Sequence, residues 1–328
     1  MVLIGGKSQV ASLVWERFGD VRNYVEPFAG SLAVLLNRPH APKVETVNDL
    51  DGHIANFWRA VSKDPEAVAS WAYGPVNELD LHARHLWLTN AGRAQVELLR
   101  ADPDWFDAKI AGWWVWGCCQ WIGSGWCHNR KPSQQRPHLG NAGMGVHRPS
   151  QQLPHLGNAG RGVSATAGDE PEIYPYFRLF ADRLRKVRVC CGDWSRVCGP
   201  TPTVKQGLTG VFLDPPYDQK NRKANLYAVD MPVSTEVRAW CHANGHDPKL
   251  RIALCGYAGE GHESLEAAGW SVVEWKAQGG YGSQGKTATA TNGTGNANAK
   301  RERIWLSPNC ILAEATVAGE SGENQCPS

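Results

Sequence analysis

Short apolar runs alternate with amphipathic stretches along most of this chain, and the spacing of each run predicts an element. Val10, Leu13, Val14 and Phe18 fall at helical spacing, with Ser8 placed to cap the helix and Gly5-Gly6-Lys7 ahead of it. Asn23-Tyr24-Val25-Glu26 reads as a strand, Pro27-Phe28-Ala29-Gly30-Ser31 as the turn out of it, and Leu32 to Asn37 as the start of a helix. A second strand, Val44 to Val47, runs into Asn48-Asp49-Leu50-Asp51. Ile54, Phe57, Trp58 and Val61 are helical, and Asp64-Pro65-Glu66 sets a cap and a first-turn proline for the next helix. Further helices are predicted to about Gly123, with a break near Pro103. From Tyr174 the alternation resumes. A helix through Phe177, Phe180, Ala181 and Leu184 precedes strands at Val187 to Cys191 and Val211 to Leu213. A helix (Thr235 to Ala243), a strand (Arg251 to Cys255), a helix (Ser264 to Ala268) and strands at Ser271 to Trp275 and Arg303 to Leu306 complete it.

Strands alternating with helices predict an α/β fold with a largely parallel sheet. The opening strand, glycine turn and helix have the form of a Rossmann-like unit. Asp49 lies about twenty residues beyond Gly30, the distance at which an acidic side chain meets ribose hydroxyls. The glycines do not follow G-x-G-x-x-G, so an adenosyl ligand without phosphates fits better than a dinucleotide. An ordinary βαβ unit without a ligand gives the same local pattern.

The middle of the chain differs in character. Six of the fifteen tryptophans lie between Trp105 and Trp126, more than one helix face can bury. They form either the core of a helical subdomain or, in part, a surface that stacks on bases or wedges into a duplex. A 17-residue unit then occurs twice, from Pro132 and from Pro149, rich in Pro, Gly and Gln. Two copies are too few for a solenoid, so residues 128–163 read as a duplicated flexible loop. The loop carries Arg130, Lys131, Arg136, Arg148 and Arg161 and no acidic residue, which suits phosphate contact as well as it suits a solvated loop without a role. The expected organisation is an α/β domain split into 1–61 and 174–312 around an insertion (62–173), with a disordered polar tail (313–328). The Gly/Ala/Thr/Asn-rich stretch from Gly279 to Ala299 reads as another flexible loop.

Composition narrows the class. At 328 residues the chain can bury an ample core, and no apolar run approaches the roughly 20 residues of a membrane span. The first residues lack an export pattern, so a cytoplasmic location and no membrane partner are expected. The formal net charge is only +2, so affinity for nucleic acid has to come from local basic patches. Ten cysteines, two pairs of them adjacent, fit reduced core thiols better than a disulfide framework. The spacing of Cys118, Cys119, Cys127 and His128 matches no standard zinc pattern, and no metal is expected.

The chemistry is expected at Val211-Phe212-Leu213-Asp214-Pro215-Pro216-Tyr217. Three apolar residues form a short buried strand. Pro215 then pushes Asp214 out of helical space, and each proline fixes its φ and lacks an N–H. The outcome is a stiff turn at the carboxyl end of a strand, where α/β sheets place ligands. It offers a carboxylate (Asp214), bare carbonyls (Pro215, Pro216) and an aromatic face (Tyr217). A planar exocyclic amine has two N–H donors for a carboxylate and a carbonyl to accept, and an aromatic ring stacks on the base that bears it. In isolation the same residues make a proline-stiffened turn with a capping aspartate. The basic segment Lys220, Arg222 and Lys223 that follows could close over phosphates as a lid.

Gly5-Gly6-Lys7, Glu26-Pro27-Phe28-Ala29-Gly30, Asp49-Leu50-Asp51 and Asp214-Pro215-Pro216-Tyr217, in this order around a long insertion, resemble the Dam-like class of adenine-N6 DNA methyltransferases. The resemblance covers roughly 1–61 and 174–307. It implies a Rossmann-like S-adenosylmethionine domain interrupted by a mostly helical target-recognition region, acting on double-stranded DNA. It further implies that Lys7, Glu26, Pro27, Phe28, Gly30 and Asp49 line the cofactor site, with Asp49 on the ribose. Asp193 and Trp194 match a weaker element flanking the cofactor adenine. Asp214, Pro215, Pro216 and Tyr217 would hold a flipped target base for direct in-line transfer, since the amine is inaccessible in a stacked duplex. The basic residues Arg130, Lys131, Arg136, Lys220, Arg222 and Lys223 would contact DNA. Asp51 stands where the family commonly has Asn. A cytosine-N4 methyltransferase, an RNA substrate and a catalytically idle DNA-binding module stay open on sequence alone, as does a restriction endonuclease partner; a dehydrogenase lacks the glycine pattern.

Overall fold

The computed structural model describes residues 8–74, 77–120, 126–127, 173–216, 233–275 and 301–312. The duplicated loop, the Gly279 to Ala299 stretch and the polar tail lie outside the described residues. Seven strands form one sheet: β1 (Asn23–Glu26), β2 (Val44–Asp49), β3 (Val187–Cys191), β4 (Thr209–Leu213), β5 (Leu250–Tyr257), β6 (Ser271–Glu274) and β7 (Glu302–Leu306). Their order is β3-β2-β1-β4-β5-β7-β6. The first five run parallel, and β7 is antiparallel to both of its neighbours. The chain builds outward from β1 through β2 to β3, then returns to place β4 on the other side of β1. This reversal opens a crevice at the carboxyl ends of β1 and β4, the place where open α/β sheets bind ligands.

The apolar runs form strands because both faces of the sheet are covered. Successive side chains point to opposite faces and sort into two cores. Tyr24, Phe212, Ala253, Cys255, Ile304 and Leu306 face one core. Val25, Val211, Leu213, Ile252, Leu254 and Trp305 face the other. In register, Val25 lies beside Thr46 on one side and Val211 on the other.

The first core is covered by α1 (Ser8–Phe18), α2 (Ala33–Leu36), α3 (Gly52–Lys63), α4 (Pro65–Ala72), α5 (Glu78–Trp87), α6 (Arg93–Val96), α7 (Ala108–Gln120) and α8 (Ile173–Leu184). Their starts follow the sequence signals. Asp51 caps α3 by accepting from the His53 N–H at 2.8 Å, and Asp64 caps α4 from Ala67 at 3.0 Å with Pro65 in the first turn. Asn56 and Asp107 exchange two hydrogen bonds, 2.9 and 3.0 Å, which fixes the start of α7 against the middle of α3. Trp114, Trp116 and Trp126 are buried, and the Trp126 indole donates to the Trp114 carbonyl at 2.9 Å. Gly117 admits that indole, since a Cβ there would overlap the Trp126 ring. These tryptophans belong to the same continuous core as Tyr24 and Phe212. The helices that follow residue 62 are therefore packed into the sheet's own first core.

One buried ion-pair cluster joins the chain on either side of that helical segment. Glu45 on β2, 1% exposed, accepts from Arg38 at 3.1 Å and from Arg183 of α8 at 2.6 Å. The second core is covered by α9 (Val233–Asn244) and by 3₁₀ turns at Trp194–Val197 and His262–Ala268. The latter lies where the spacing predicted an α-helix from Ser264 to Ala268. It is bracketed by Gly261 and Gly269, both at positive φ, which confine it to a short tight winding. The nine described cysteines are free thiols. Among the described residues no group of three or more His, Cys, Asp or Glu side chains is placed to hold a metal ion. No helix there is long and apolar enough to cross a membrane.

Candidate active site

Four chain segments leave the carboxyl edge of the sheet side by side: Pro27–Ser31 after β1, Leu50–Asp51 after β2, Gly192–Asp193 after β3 and Asp214–Pro216 after β4. Asn48, 1% exposed, ties three of them together. Its side-chain amide donates to the Pro27 carbonyl at 3.0 Å and to the Gly192 carbonyl at 2.9 Å, while its main-chain carbonyl accepts from the Ala29 N–H at 2.8 Å. Its sequence signal is an amide at the end of a buried strand, next to the acidic Asp49.

The turn after β1 is conformationally demanding. Gly30 has φ 44° and Leu32 has φ 55°. For a leucine this left-handed region costs about 1–2 kcal/mol, and the fully buried side chain of Leu32 holds it there. A Cβ on Gly30 would meet nothing within 4 Å, so the backbone faces open space at this point. Beside it, the Asp49 carboxylate accepts from the Gly30 N–H at 3.0 Å and from the Asp51 N–H at 2.9 Å. Asp49 therefore shapes the Gly30 turn, and each oxygen keeps acceptor capacity for a further donor. Burial, opposed by these amide bonds, pushes its pKa up to about 6.

Glu26 is 2% exposed and accepts from the Tyr24 hydroxyl at 3.0 Å. Burial is the main reason its pKa rises to about 8; the charges of Asp214 and Asp49 push the same way, while the Tyr24 bond and the Leu35 N–H oppose them. Its place among the site residues is thus that of a covered acid sensing the carboxylates of Asp49 and Asp214. Asp214 is half-buried, Pro215 buried and Pro216 half-buried, directly after β4. Phe28 stacks on Trp194, centroids 6.0 Å apart and planes 27° from parallel. Asp193 is exposed and caps the turn at Trp194–Val197 by accepting from the Ser195 N–H at 2.9 Å. The β1, β2, β3 and β4 ends thus bring Glu26, Pro27, Phe28, Gly30, Asp49, Asp193, Trp194, Asp214, Pro215 and Pro216 to one edge. Lys7, Arg130, Lys131, Arg136, Tyr217, Lys220, Arg222 and Lys223 lie outside the described residues. Tyr24 and Asn48 join the site without having been singled out in the sequence.

Residues 3–82 match the family model of the D12 class N6 adenine-specific DNA methyltransferase. Over these residues the chain is similar to that class. The match runs from α1 through β1 and β2 into α5, and so includes Glu26, Phe28, Gly30, Asp49 and Asp51 but not Asp214. No curated protein matches the chain. A D12-class enzyme acts on DNA as an S-adenosylmethionine-dependent adenine methyltransferase, and the seven-stranded α/β sheet accords with a methyltransferase fold. The edge described above fits a methyl donor on two counts. Gly30 presents bare backbone to open space, and the acidic groups beside it suit a ligand carrying positive charge.

Proposed function

We propose that this chain methylates the N6 amine of adenine in double-stranded DNA by direct transfer to an extruded base. The observation that carries the reading is the convergence of the Gly30 turn, Asp49 and the Asp214-Pro215-Pro216 turn on one edge of the sheet, at its topological switch point. The family match covers the first two, and the third stands one strand away on β4.

S-Adenosylmethionine, when bound, supplies an electrophilic methyl group on a sulfonium. The chain's residues do the rest. Asp49 holds the Gly30 turn open and takes a ribose hydroxyl with its remaining acceptor capacity; Phe28 and Trp194 offer an aromatic wall for the adenosyl base. Asp214 and the Pro215 carbonyl accept the two N–H groups of the target amine, orienting its lone pair and stabilising the positive charge that develops on nitrogen. Tyr217 stacks on the extruded base. Nothing in this scheme needs a covalent enzyme intermediate, so no cysteine is a nucleophile. The discontinuous catalytic domain (1–61 and 174–312) carries this chemistry, and residues 62–173 read the target. The duplicated loop with Arg130, Lys131 and Arg136, and the segment with Lys220, Arg222 and Lys223, hold phosphates.

The test is transfer of labelled methyl from S-adenosylmethionine to mixed-sequence duplex DNA, with RNA as competitor. Transfer to the duplex that excess RNA does not suppress supports the reading. Cofactor-independent DNA binding without any transfer replaces it with a binding module of the same fold.

A further inference from the structure

Glu26 occupies an unusual place at this edge. It ends β1, the strand between β2 and β4, so the Asp49 and Asp214 strands flank it on either side. Its side chain is covered, and among the described residues a few groups face it. From its own strand the Tyr24 hydroxyl donates at 3.0 Å; from α2 the Leu35 backbone N–H donates. From the end of β2 comes Asp49, itself beside Asp51, and from the turn after β4 comes Asp214. Deeper in the core, Tyr24 in turn feels Glu45 and Arg38, which already pair with each other at 3.1 Å. The nearest acidic neighbours therefore disfavour a negative charge on Glu26, as does its burial.

A ligand with a sulfonium and an ammonium against one carboxylate brings a net positive charge to the same edge. That reverses the local balance, because an opposite charge favours the ionised carboxylate. We propose that Glu26 is a proton-carrying member of the site, neutral in the ligand-free protein and ionised when the cationic methyl donor enters the cluster of Asp49 and Asp214. The step is a proton transfer alone: the Glu26 O–H bond breaks, its electron pair stays on the carboxylate, and the proton leaves to solvent. The proposal rests on the methyl-donor reading and adds a consequence to it. The donor and its neutral thioether product differ by one positive charge, so Glu26 discriminates between them. As the methyl leaves, the reason for keeping Glu26 ionised goes with it, and reprotonation favours product release.

Linkage fixes the sign. Binding that expels a proton tightens as pH rises, by up to roughly tenfold per unit, and levels off once Glu26 is ionised in the free protein. The experiment is titration calorimetry of the full chain with S-adenosylmethionine and, separately, S-adenosylhomocysteine, near pH 7, in buffers of different ionisation heat. The expected result is release of a substantial fraction of a proton with the sulfonium ligand and clearly less with the thioether. Glu26→Gln, which keeps an acceptor for Tyr24, should bind the sulfonium ligand with much less proton release and a shallower pH profile, the remainder coming from Asp49. Equal release from wild type and Glu26→Gln overturns the proposal. If neither ligand binds wild type, the methyl-donor reading and this consequence fall together. A ligand-free readout separates the two and covers a Gln variant that folds poorly. Infrared difference spectra of wild type should show a protonated carboxyl band at neutral pH that Tyr24→Phe shifts to persist to higher pH, since removing that donor makes ionisation harder. Absence of any such band overturns the proposal whatever the calorimetry gives.

Discussion

The carboxyl edge of the sheet and the helical layer over its first core are built on opposite terms. At the edge, Glu26 and Asp49 are polar groups buried at a cost, held by Tyr24 and by the Gly30 and Asp51 amides, next to a leucine kept at positive φ. In the layer, Trp114, Trp116 and Trp126 are apolar bulk in a continuous core, where burial itself stabilises. A cost of this kind at the carboxyl edge of a sheet is what a ligand site looks like before its ligand arrives. The layer has its own gradient. Trp71 is 43% exposed and meets the half-buried Trp113 edge-on at 5.9 Å. Lys109 sits 4.4 Å from the Trp113 ring centroid and 4.8 Å from that of Trp87.

Four substitutions break or sharpen this contrast. The largest effect is expected from Asp214→Ala, which should lower turnover by about two to four orders of magnitude while S-adenosylmethionine affinity stays near wild type. Steady-state kinetics beside a binding isotherm checks it, and near-normal turnover removes Asp214 from the chemistry. Trp114→Ala should do the reverse. A fully packed tryptophan lost from the core costs about 3–5 kcal/mol in urea unfolding, with turnover per folded molecule unchanged. Should turnover fall at full folding, the layer takes part in the reaction and the contrast is wrong.

Asp49→Ala stands between the two, since the side chain both shapes the Gly30 turn and faces the ligand edge. Hydrogen bonds to a charged group are worth about 1.5–3 kcal/mol, so cofactor affinity should drop roughly tenfold to a hundredfold, with kcat on saturated enzyme less affected. Unchanged affinity would confine Asp49 to holding the turn. The smallest effect is expected from Trp71→Ala, about 0.5–1 kcal/mol in stability through its edge contact and the nearby cation. A tenfold loss of DNA affinity in that variant would instead make the exposed indole part of the recognition surface.

Much of the fold was legible because its central strands, β4 and β5 above all, are buried on both faces and so appear as short apolar runs. Val187 to Cys191 and Asn23 to Glu26 were read with the boundaries they have. The cap at Asp64 was legible through local chemistry, a short acceptor followed by free N–H groups, whereas the equivalent cap at Asp51 was not read from the sequence. The merging of the tryptophan helices into the sheet's own core was not, because packing between distant segments leaves no mark in local periodicity. For the site, Gly30, Asp49 and Asp214 stand out as turn residues at strand ends. Glu26 was placed in the site by resemblance, yet its coverage, and hence its raised pKa, depends on α2 and on strands brought together from far along the chain. Asn48 was missed for the same reason, since two of its three partners, Pro27 and Gly192, belong to different strand ends.

The central claim is methyl transfer to adenine in DNA, and the product itself tests it most directly. Duplex DNA of mixed sequence would be incubated with the chain and labelled S-adenosylmethionine, digested to nucleosides and analysed by mass, with Asp214→Ala run in parallel. The account predicts label on the N6 amine of adenine with wild type and a trace at most with the variant. Label on the cytosine amine, or equal label from both proteins, would contradict it.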